Sequence, residues 1–175
     1  MGRPRGTPMS RRALDRATQL LGGAITSSHA LHGDETIVVD AAQIARVMQT
    51  LRDDEELGMD MLVDLTAVDY LGRDGARFEV VYHLRSMKTG DRLRVKAPLG
   101  EPDDGSPPQI DSVVPLWKGA NWFEREVWDL YGIKFKNHPD LRRILMYEEF
   151  IGHPLRKDYP KEKRQPLVRR DPNDG

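Results

Sequence analysis

The sequence predicts an α+β domain in which helices cover one face of a mostly antiparallel sheet, followed by an extended C-terminal arm. Three observations predict this class. Two segments with apolar residues at helical spacing come first, three β-rich segments separated by Gly- and Asp-containing turns follow, and a further amphipathic helix comes after them. We divide the chain into a flexible N-terminus at residues 1–9, a globular domain at 10–135 and an arm at 136–175.

The first helix is expected at about residues 11–21. Ser10 suits its N-terminal cap because a serine hydroxyl can accept a hydrogen bond from a backbone N–H of the first turn. Gly22 and Gly23 directly after it are typical of a helix end. The expected buried face consists of Leu14, Ala17, Leu20 and Leu21.

A short strand at residues 35–39 leads into the second helix, because this run is rich in β-branched residues. Asp40 follows it directly and suits the N-terminal cap of the helix. The acidic run at 53–56 comes after the helix. Its expected buried face consists of Ile44, Val47, Met48 and Leu51.

A meander of three strands is predicted next, at residues 61–70, 77–85 and 92–97. Turns rich in Gly and Asp separate them, which is the usual signal of antiparallel hairpins. The acidic, Pro-containing loop at 100–109 interrupts this pattern. Residues 110–116 fit either another strand or a short helix.

The clearest helix follows this loop. Asn121 suits its N-terminal cap, and Glu124 three residues later completes the pattern of a capping box. Arg125 and Asp129 are four residues apart and can form an ion pair on the helix surface. Gly132 stands where a left-handed residue commonly ends a helix.

Two tryptophans indicate that this helix is covered on more than one side. Trp122 and Trp128 lie on different helix faces, and an amphipathic helix with one buried face does not need aromatic residues on two. After Phe135 the chain becomes rich in Pro, Arg and Lys, with too few apolar residues for a core of its own. We therefore expect residues 136–175 to be extended when free and to bind a partner.

Composition excludes several classes of protein. The 175 residues carry a net charge of -1 and contain no cysteine. Disulfides, Cys-ligated zinc, ordinary iron–sulfur clusters and thiol catalysis all need thiolate sulfur and are excluded. No apolar run approaches the roughly 20 residues that a membrane helix needs. The Arg-rich N-terminus has no apolar core and is not a secretory signal.

A metal-dependent hydrolase is one alternative function. It would use His138, Asp140, His153 and Asp158, whose nitrogen and oxygen atoms can bind metal ions. Their spacing matches no compact metal motif, and both histidines precede proline, which favours extended backbone there. No nucleophile motif or phosphate-binding glycine loop accompanies them. We favour structural or interface roles for all four.

A nucleic-acid-binding module is the second alternative, since residues 155–170 are basic. Asp158 and Glu162 interrupt the positive charge, and Tyr159 is the one ring available for base stacking in the run 155–164. Arg142 and Arg143 lie among apolar residues, which favours guanidinium–carboxylate pairs at a protein interface. We therefore expect no nucleic-acid partner.

Two blocks carry a strong family resemblance. The run EREVWDLYGIKFKNHPDLRRIL at 124–145 resembles the signature of the C subunit, the 30-kilodalton-type subunit, of respiratory complex I, the proton-translocating NADH:quinone oxidoreductase. The run GHPLRKDYP at 152–160 resembles the second block of that family, and Asn121 and Trp122 fit in front of the first. The likeness covers about residues 121–160.

The resemblance implies a hydrophilic subunit of the peripheral arm, peripheral to the membrane. Its place is the cytoplasmic side of a bacterial inner membrane, with the mitochondrial matrix side as the alternative. Such a subunit packs against the D subunit, which helps to form the quinone site. It carries no flavin, cluster or metal, and the FMN and iron–sulfur clusters belong to the complex as a whole. The isolated chain is therefore expected to be non-catalytic. Related subunits occur in membrane-bound energy-converting hydrogenases.

We predict that the interface with the partner is formed by charged, aromatic and apolar residues of both blocks. Removal of the chain from about residue 136 onward is expected to leave a folded domain and to abolish assembly. The predicted interface residues are Trp122, Glu124, Arg125, Glu126, Asp129, His138, Asp140, Leu141, Arg142, Arg143, His153, Arg156, Lys157, Asp158 and Tyr159.

Overall fold

The computed structural model describes residues 12–165. The expectations for Ser10, for the N-terminus at 1–9 and for residues 166–175 lie outside the described residues. The elements, in chain order, are helix α1 (Arg12–Leu21), strands β1 (Ile25–Leu31) and β2 (Asp34–Val39), helix α2 (Ile44–Asp53), strands β3 (Met61–Asp69), β4 (Phe78–Arg85), β5 (Arg92–Leu99) and β6 (Gln109–Asp111), helix α3 (Ala120–Tyr131) and strand β7 (Lys134–Lys136).

Within the described part of the chain, five strands form one sheet in the order β1-β2-β5-β4-β3. The pairs β1–β2, β5–β4 and β4–β3 are antiparallel, and β2–β5 is parallel. A separate parallel pair joins β6 and β7. The predicted α+β class with a mostly antiparallel sheet is confirmed.

Helices cover one face of this sheet. Every second residue of β4 from Phe78 to Leu84 is fully buried, and α1 packs against β1, β2 and β5 while α3 packs against β3. Residues of β4 that point the other way, such as His83 and Arg85, are only partly buried. The other face of the sheet therefore carries charged side chains. No helix within residues 12–165 has the length and apolar character needed to cross a membrane.

Several predicted elements are confirmed. The three-strand meander is present, with bounds that differ by up to two residues from the expected ones. Gly132 ends α3 in the left-handed conformation, with a φ of 76°. The Asp40 side chain accepts a hydrogen bond from the Ala42 N–H at 2.9 Å, on the short 3-10 turn Ala41–Gln43 that leads into α2.

Two features differ from the expectations. Strand β1 was not predicted, because its exposed residues 26–28 are Thr and Ser without apolar alternation. Helix α3 begins at Ala120 with no side-chain cap, so the capping box of Asn121 and Glu124 is wrong. Glu124 is fully buried instead, and its Oε1 accepts from the N–H of Val113 at 2.7 Å. This carboxyl therefore binds the backbone of a loop outside the helix and does not cap α3.

Candidate docking site

Residues 137–165, here called the C-terminal segment, contain no helix or strand and lie against α3 and the meander. Regular backbone hydrogen bonding, as in a helix or a strand, therefore contributes almost nothing to the conformation of the segment. That conformation comes from a few side chains of the globular body that bind the segment's backbone. Leu155 adds one main-chain contact, since its N–H donates to the Leu130 carbonyl at 3.0 Å.

Asp129 of α3 is the main anchor of the C-terminal segment. Its fully buried carboxylate accepts hydrogen bonds at Oδ2 from three successive backbone N–H groups, at 3.0, 2.8 and 2.8 Å. Arg143 contacts Oδ1 at 2.6 Å. Burial raises the pKa of Asp129, but these donors outweigh it and hold that pKa below its usual value. The three N–H donors belong to Ile144, Leu145 and Met146.

Arg143 closes the loop that follows. Its Nη2 donates to the carbonyls of Phe150 at 2.9 Å and Gly152 at 3.1 Å. Arg125 fixes the chain just before it, donating from Nε to the Arg142 carbonyl at 3.2 Å and from Nη2 to the Arg143 carbonyl at 3.0 Å. The expected ion pair of Arg125 with Asp129 is therefore wrong, because each of these side chains binds the C-terminal segment instead.

His153 fills the space beside Gly132. Its Nδ1 donates to the Asp129 carbonyl at 2.9 Å, and its ring centroid lies 5.4 Å from that of Trp128. A Cβ atom at Gly132 would lie 2.7 Å from the His153 Cδ2 atom. Burial lowers the pKa of His153, which favours the neutral ring. Glycine at 132 thus permits both the helix end and the close approach of the segment.

A second anchor lies at the end of the meander. Asp69 is buried, and Arg77 binds both of its carboxylate oxygens at 3.3 Å. The Lys157 N–H donates to Asp69 Oδ2 at 2.8 Å. Burial raises the pKa of Asp69, while the arginine and the backbone donors lower it further than burial raises it.

The same anchor continues into a network of charges. Arg77 also contacts Glu101 at 2.5 Å and Asp158 at 2.8 Å. Arg156 binds those two carboxylates as well, at 2.6 and 3.1 Å. Hydrogen bonds from Arg156, with a further one from Arg77, lower the pKa of Asp158 to about 2. Two arginines and three carboxylates therefore join the segment to the end of β3 and to the loop after β5.

A third contact involves a buried acid. Glu124 Oε2 has no hydrogen-bond partner among the described residues, and the His138 Nε2 atom lies 4.0 Å from it. His138 Nδ1 accepts from the Asp140 N–H at 3.0 Å, so Nε2 carries the proton and donates to the Asn121 carbonyl at 3.2 Å. Burial raises the pKa of Glu124 to about 7. This pair packs the start of the segment onto α3.

Apolar side chains of the segment point outward. Leu145, Ile151 and Leu155 are 50 to 59% exposed, and Trp122 of α3 is 62% exposed. The Arg125 guanidinium carbon lies 5.2 Å from the Trp122 ring centroid, in a cation–π contact with the ring. So many exposed large apolar groups on one helix and the segment that follows it are unusual for a protein that works alone.

The structure divides the predicted interface residues into two groups, and their role toward a partner stays a prediction. Six of them are exposed, namely Trp122, Glu126, Asp140, Arg142, Lys157 and Asp158. The other nine are buried or half-buried against this chain itself, namely Glu124, Arg125, Asp129, His138, Leu141, Arg143, His153, Arg156 and Tyr159.

Sequence reasoning missed Asp69, Arg77 and Glu101. They bind residues 55 to 88 positions later in the chain, and no local pattern predicts such pairs. Within residues 12–165, no three His, Asp or Glu side chains come together as metal ligands. Of the four proposed metal ligands, only His138 and Asp140 meet, and that contact uses the Asp140 backbone.

Known proteins with similar sequences are subunits of one kind of enzyme complex. The family profile described as respiratory-chain NADH dehydrogenase, 30 Kd subunit, matches residues 37–165. A protein of Citrifermentans bemidjiense, named as the C subunit of an NADH-quinone oxidoreductase, is 49% identical over 149 residues, covering 85% of this chain and 88% of its own. Another of that name from Rhodopseudomonas palustris is 46% identical over 156 residues, covering 87% of this chain and 74% of its own.

Two solved structures share the fold. The trypsin-resistant fragment 1–134 of Nqo5 has a TM-score of 0.61 and 31% identity, and the match covers 75% of this chain and all of that one. A chain of the archaeal membrane-bound sulfane sulfur reductase has a TM-score of 0.70, with 86% of this chain and 87% of that one covered. At 21% identity, the second likeness concerns the fold alone.

Proposed function

Because the chain belongs to the family of the 30 kDa subunit of respiratory-chain NADH dehydrogenase, we propose that it is a subunit of a proton-translocating NADH:quinone oxidoreductase. Its role is to hold neighbouring subunits together in the peripheral arm. It takes part in the enzymatic reaction only as part of the complex, and the isolated chain is non-catalytic.

One observation carries this proposal. Asp129 and Asp69 of the body anchor the C-terminal segment, and the segment exposes apolar side chains to solvent. Such an arrangement fixes an irregular chain in one shape before a partner arrives. A segment that is already ordered loses less conformational entropy on binding, which strengthens the interaction.

The proposed partner is the D subunit, which carries the quinone site together with its neighbours. Trp122, Leu145, Ile151 and Leu155 would contact it, since aromatic and apolar side chains dominate the centre of stable interfaces. Exposed charges such as Arg142 and Glu126 would lie at the rim. Arg142 and Asp140 already pair at 2.9 Å, so they present a neutral, hydrogen-bonded edge.

The proposed role is not a redox role. A chain without cysteine offers no thiolate for an iron–sulfur cluster, so electrons would pass through clusters and FMN of other subunits. The proposed location is peripheral, on the cytoplasmic side of a bacterial inner membrane.

A related role in an energy-converting complex is the second candidate. The shared fold with a chain of the archaeal sulfane sulfur reductase favours it. The first candidate is favoured by the sequence identities of 46 to 49% with subunits named for NADH and quinone. The sequence identity with the reductase chain is only 21%. Purification of the intact complex, with assay of NADH-dependent quinone reduction, separates the two.

Truncation tests the docking role. We expect a chain that ends at Lys136 to stay folded, because the core of the sheet and the helices lies before this point. The trypsin resistance of the similar fragment 1–134 supports this expectation. The truncated chain should fail to co-purify with the complex. If it joins the complex and quinone reduction is normal, the docking role is wrong.

A finer test leaves the segment in place. Ile151→Asp combined with Leu155→Asp changes two side chains that are 59 and 50% exposed, so the isolated chain should keep its stability. Incorporation into the complex should fall, because a buried carboxylate without a partner is costly. Leu31→Asp is the matched control, since Leu31 is 61% exposed on edge strand β1. Equal incorporation of the double variant and the control contradicts the proposed surface.

A further inference from the structure

The open face of the sheet carries two arginines that lie directly opposite each other. Arg85 of β4 pairs with Arg92 of β5 in the antiparallel register, so both side chains point to the same face. Like charges in this arrangement destabilise a sheet. Neither side chain forms a hydrogen bond or ion pair with any residue in 12–165.

One donor of this pair is also withdrawn from solvent. The Arg85 Nε atom is buried and has no hydrogen-bond partner within the described chain. Buried polar groups in folded proteins are nearly always paired, and the few exceptions call for an explanation. The pair lines a groove of about 460 Å³ between β2, β3, β4 and β5, which is large enough to receive side chains of another molecule.

The acidic side chains of this groove leave the two arginines uncompensated. Asp34 pairs with Arg94 at 3.0 Å, and Glu35 accepts from the Leu14 N–H at 2.8 Å. Asp64 lies across from His83 in the register, and no described arginine lies within 4.0 Å of its carboxylate. The positive charge is thus concentrated at the end of β4 and the start of β5.

Apolar side chains surround this charge. Met61 is opposite Arg85 in the register with β3 and is 42% exposed. Val63 lines the groove and is 46% exposed, and Met87, two residues after Arg85 in the chain, is 63% exposed. A free inorganic anion needs no such rim, whereas a protein segment gains from burying it. Arginine with methionine is also a combination enriched in protein interfaces.

We infer that the arginine patch, formed by Arg85 and Arg92 with Met61, Val63 and Met87, binds a carboxylate-bearing segment of a neighbouring subunit. This inference rests on the proposed function. The patch lies on the sheet face that the helices leave open, so it is separate from the docking site of the C-terminal segment. Two guanidinium groups side by side can hold one carboxylate through several N–H donors.

Zero-length cross-linking tests the contact. Arg85→Lys and Arg92→Lys keep the charge and introduce a primary amine. A carbodiimide activates a touching carboxylate, the amine attacks it to form an amide bond, and the carbodiimide leaves as a urea. In the purified complex, mass spectrometry should find position 85 or 92 joined to an Asp or Glu of another subunit. Arg46→Lys, exposed on α2, is the control and should give no such product.

Other products overturn the inference. These are a cross-link to a second copy of this chain, a cross-link only to carboxylates of the same chain such as Asp64, or no cross-link from either position. Loss of co-purification by the wild-type chain overturns the proposed function as well. Co-purification without the expected cross-link overturns the arginine patch alone.

Charge reversal gives an independent readout. Arg92→Glu places opposite charges across β4 and β5, which should raise the unfolding temperature of the isolated chain. The same change should weaken incorporation into the complex by about tenfold or more, because it sets a carboxylate against the partner's carboxylate. A residue with only a structural role would not change these two measurements in opposite directions. Arg46→Glu is the control, and unchanged incorporation of Arg92→Glu refutes the inference.

Discussion

Replacing Gly132 by alanine tests how the C-terminal segment meets α3. Two separate effects act at this position. The backbone has a φ of 76°, and a Cβ atom would lie 2.7 Å from the His153 ring. The ring cannot stay where it is, because real Cβ atoms do not approach that closely. Moving it breaks the His153 Nδ1 hydrogen bond to the Asp129 carbonyl.

The size of the effect can be worked out from these contacts. A left-handed conformation costs a residue with a Cβ atom about 1–2 kcal/mol. Loss of the His153 hydrogen bond costs about 1 kcal/mol, and loss of its ring contact with Trp128 costs about 0.5–1 kcal/mol more. We therefore expect Gly132→Ala to lower the free energy of unfolding by about 3 kcal/mol.

Gly72→Ala is the matched control. Gly72 has a φ of 81°, and no described atom lies within 4 Å of a Cβ built there. It should show the conformational cost alone, about 1–2 kcal/mol. The difference between the two variants measures the contact with His153.

The assay is urea-induced unfolding of the full chain, together with a double-mutant cycle. In the background of His153→Ala the ring is absent, so Gly132→Ala should cost only as much as Gly72→Ala. Limited trypsin digestion adds a local readout, because Lys157 and Lys161 should be cleaved faster once the segment is displaced. If Gly132→Ala costs the same with and without the His153 ring, the packing of this ring against α3 is wrong.

Three further changes have expected outcomes. Arg77→Met leaves the buried Asp69 carboxylate without its ion pair, which should cost about 3–5 kcal/mol in thermal unfolding; a cost below about 1 kcal/mol contradicts the role of this anchor. Arg143→Ala removes the 2.6 Å contact to buried Asp129 and should free residues 144–152 for rapid hydrogen exchange, while the core of the sheet stays protected. Burial raises the pKa of Glu124 from its usual 4.5 to about 7, so the native state binds more protons than the unfolded state in this window. The contribution of Glu124 to stability should therefore fall by about 3 kcal/mol as the pH rises from about 4.5 to about 7 and level off above. Glu124→Gln should remove this dependence, and an identical pH profile for both proteins refutes it.

Elements with local causes could be predicted from the sequence. The left-handed end of α3 follows from Gly132, and the meander follows from alternating strands with Gly- and Asp-containing turns. Strand β1 escaped prediction because an edge strand can be polar on both faces. Its pairing with β2, rather than its composition, places it in the sheet.

The anchors of the C-terminal segment depend on distant partners. Local reasoning paired Arg125 with Asp129 four residues away, whereas Asp129 binds Arg143 fourteen residues away. Burial decides this outcome. A carboxylate inside the protein needs several donors, and three consecutive N–H groups with the Arg143 guanidinium satisfy it better than Arg125 alone could. Spacing alone could not show which charged residues of α3 would be buried.

The Asp129 anchor also has a consequence for the segment that it holds. Residues 144–146 contribute donors to a site whose acceptor is placed by α3, and α3 is placed by the sheet that precedes it in the chain. Asp129 therefore precedes its three backbone donors in the chain, and the donors find an acceptor only where α3 is already packed on the sheet. The exposed apolar side chains of the segment, Leu145, Ile151 and Leu155, thus depend on the body for their arrangement. A chain whose body is unfolded lacks the buried acceptor that orders residues 144–146, so the shape of the segment depends on the fold of the body.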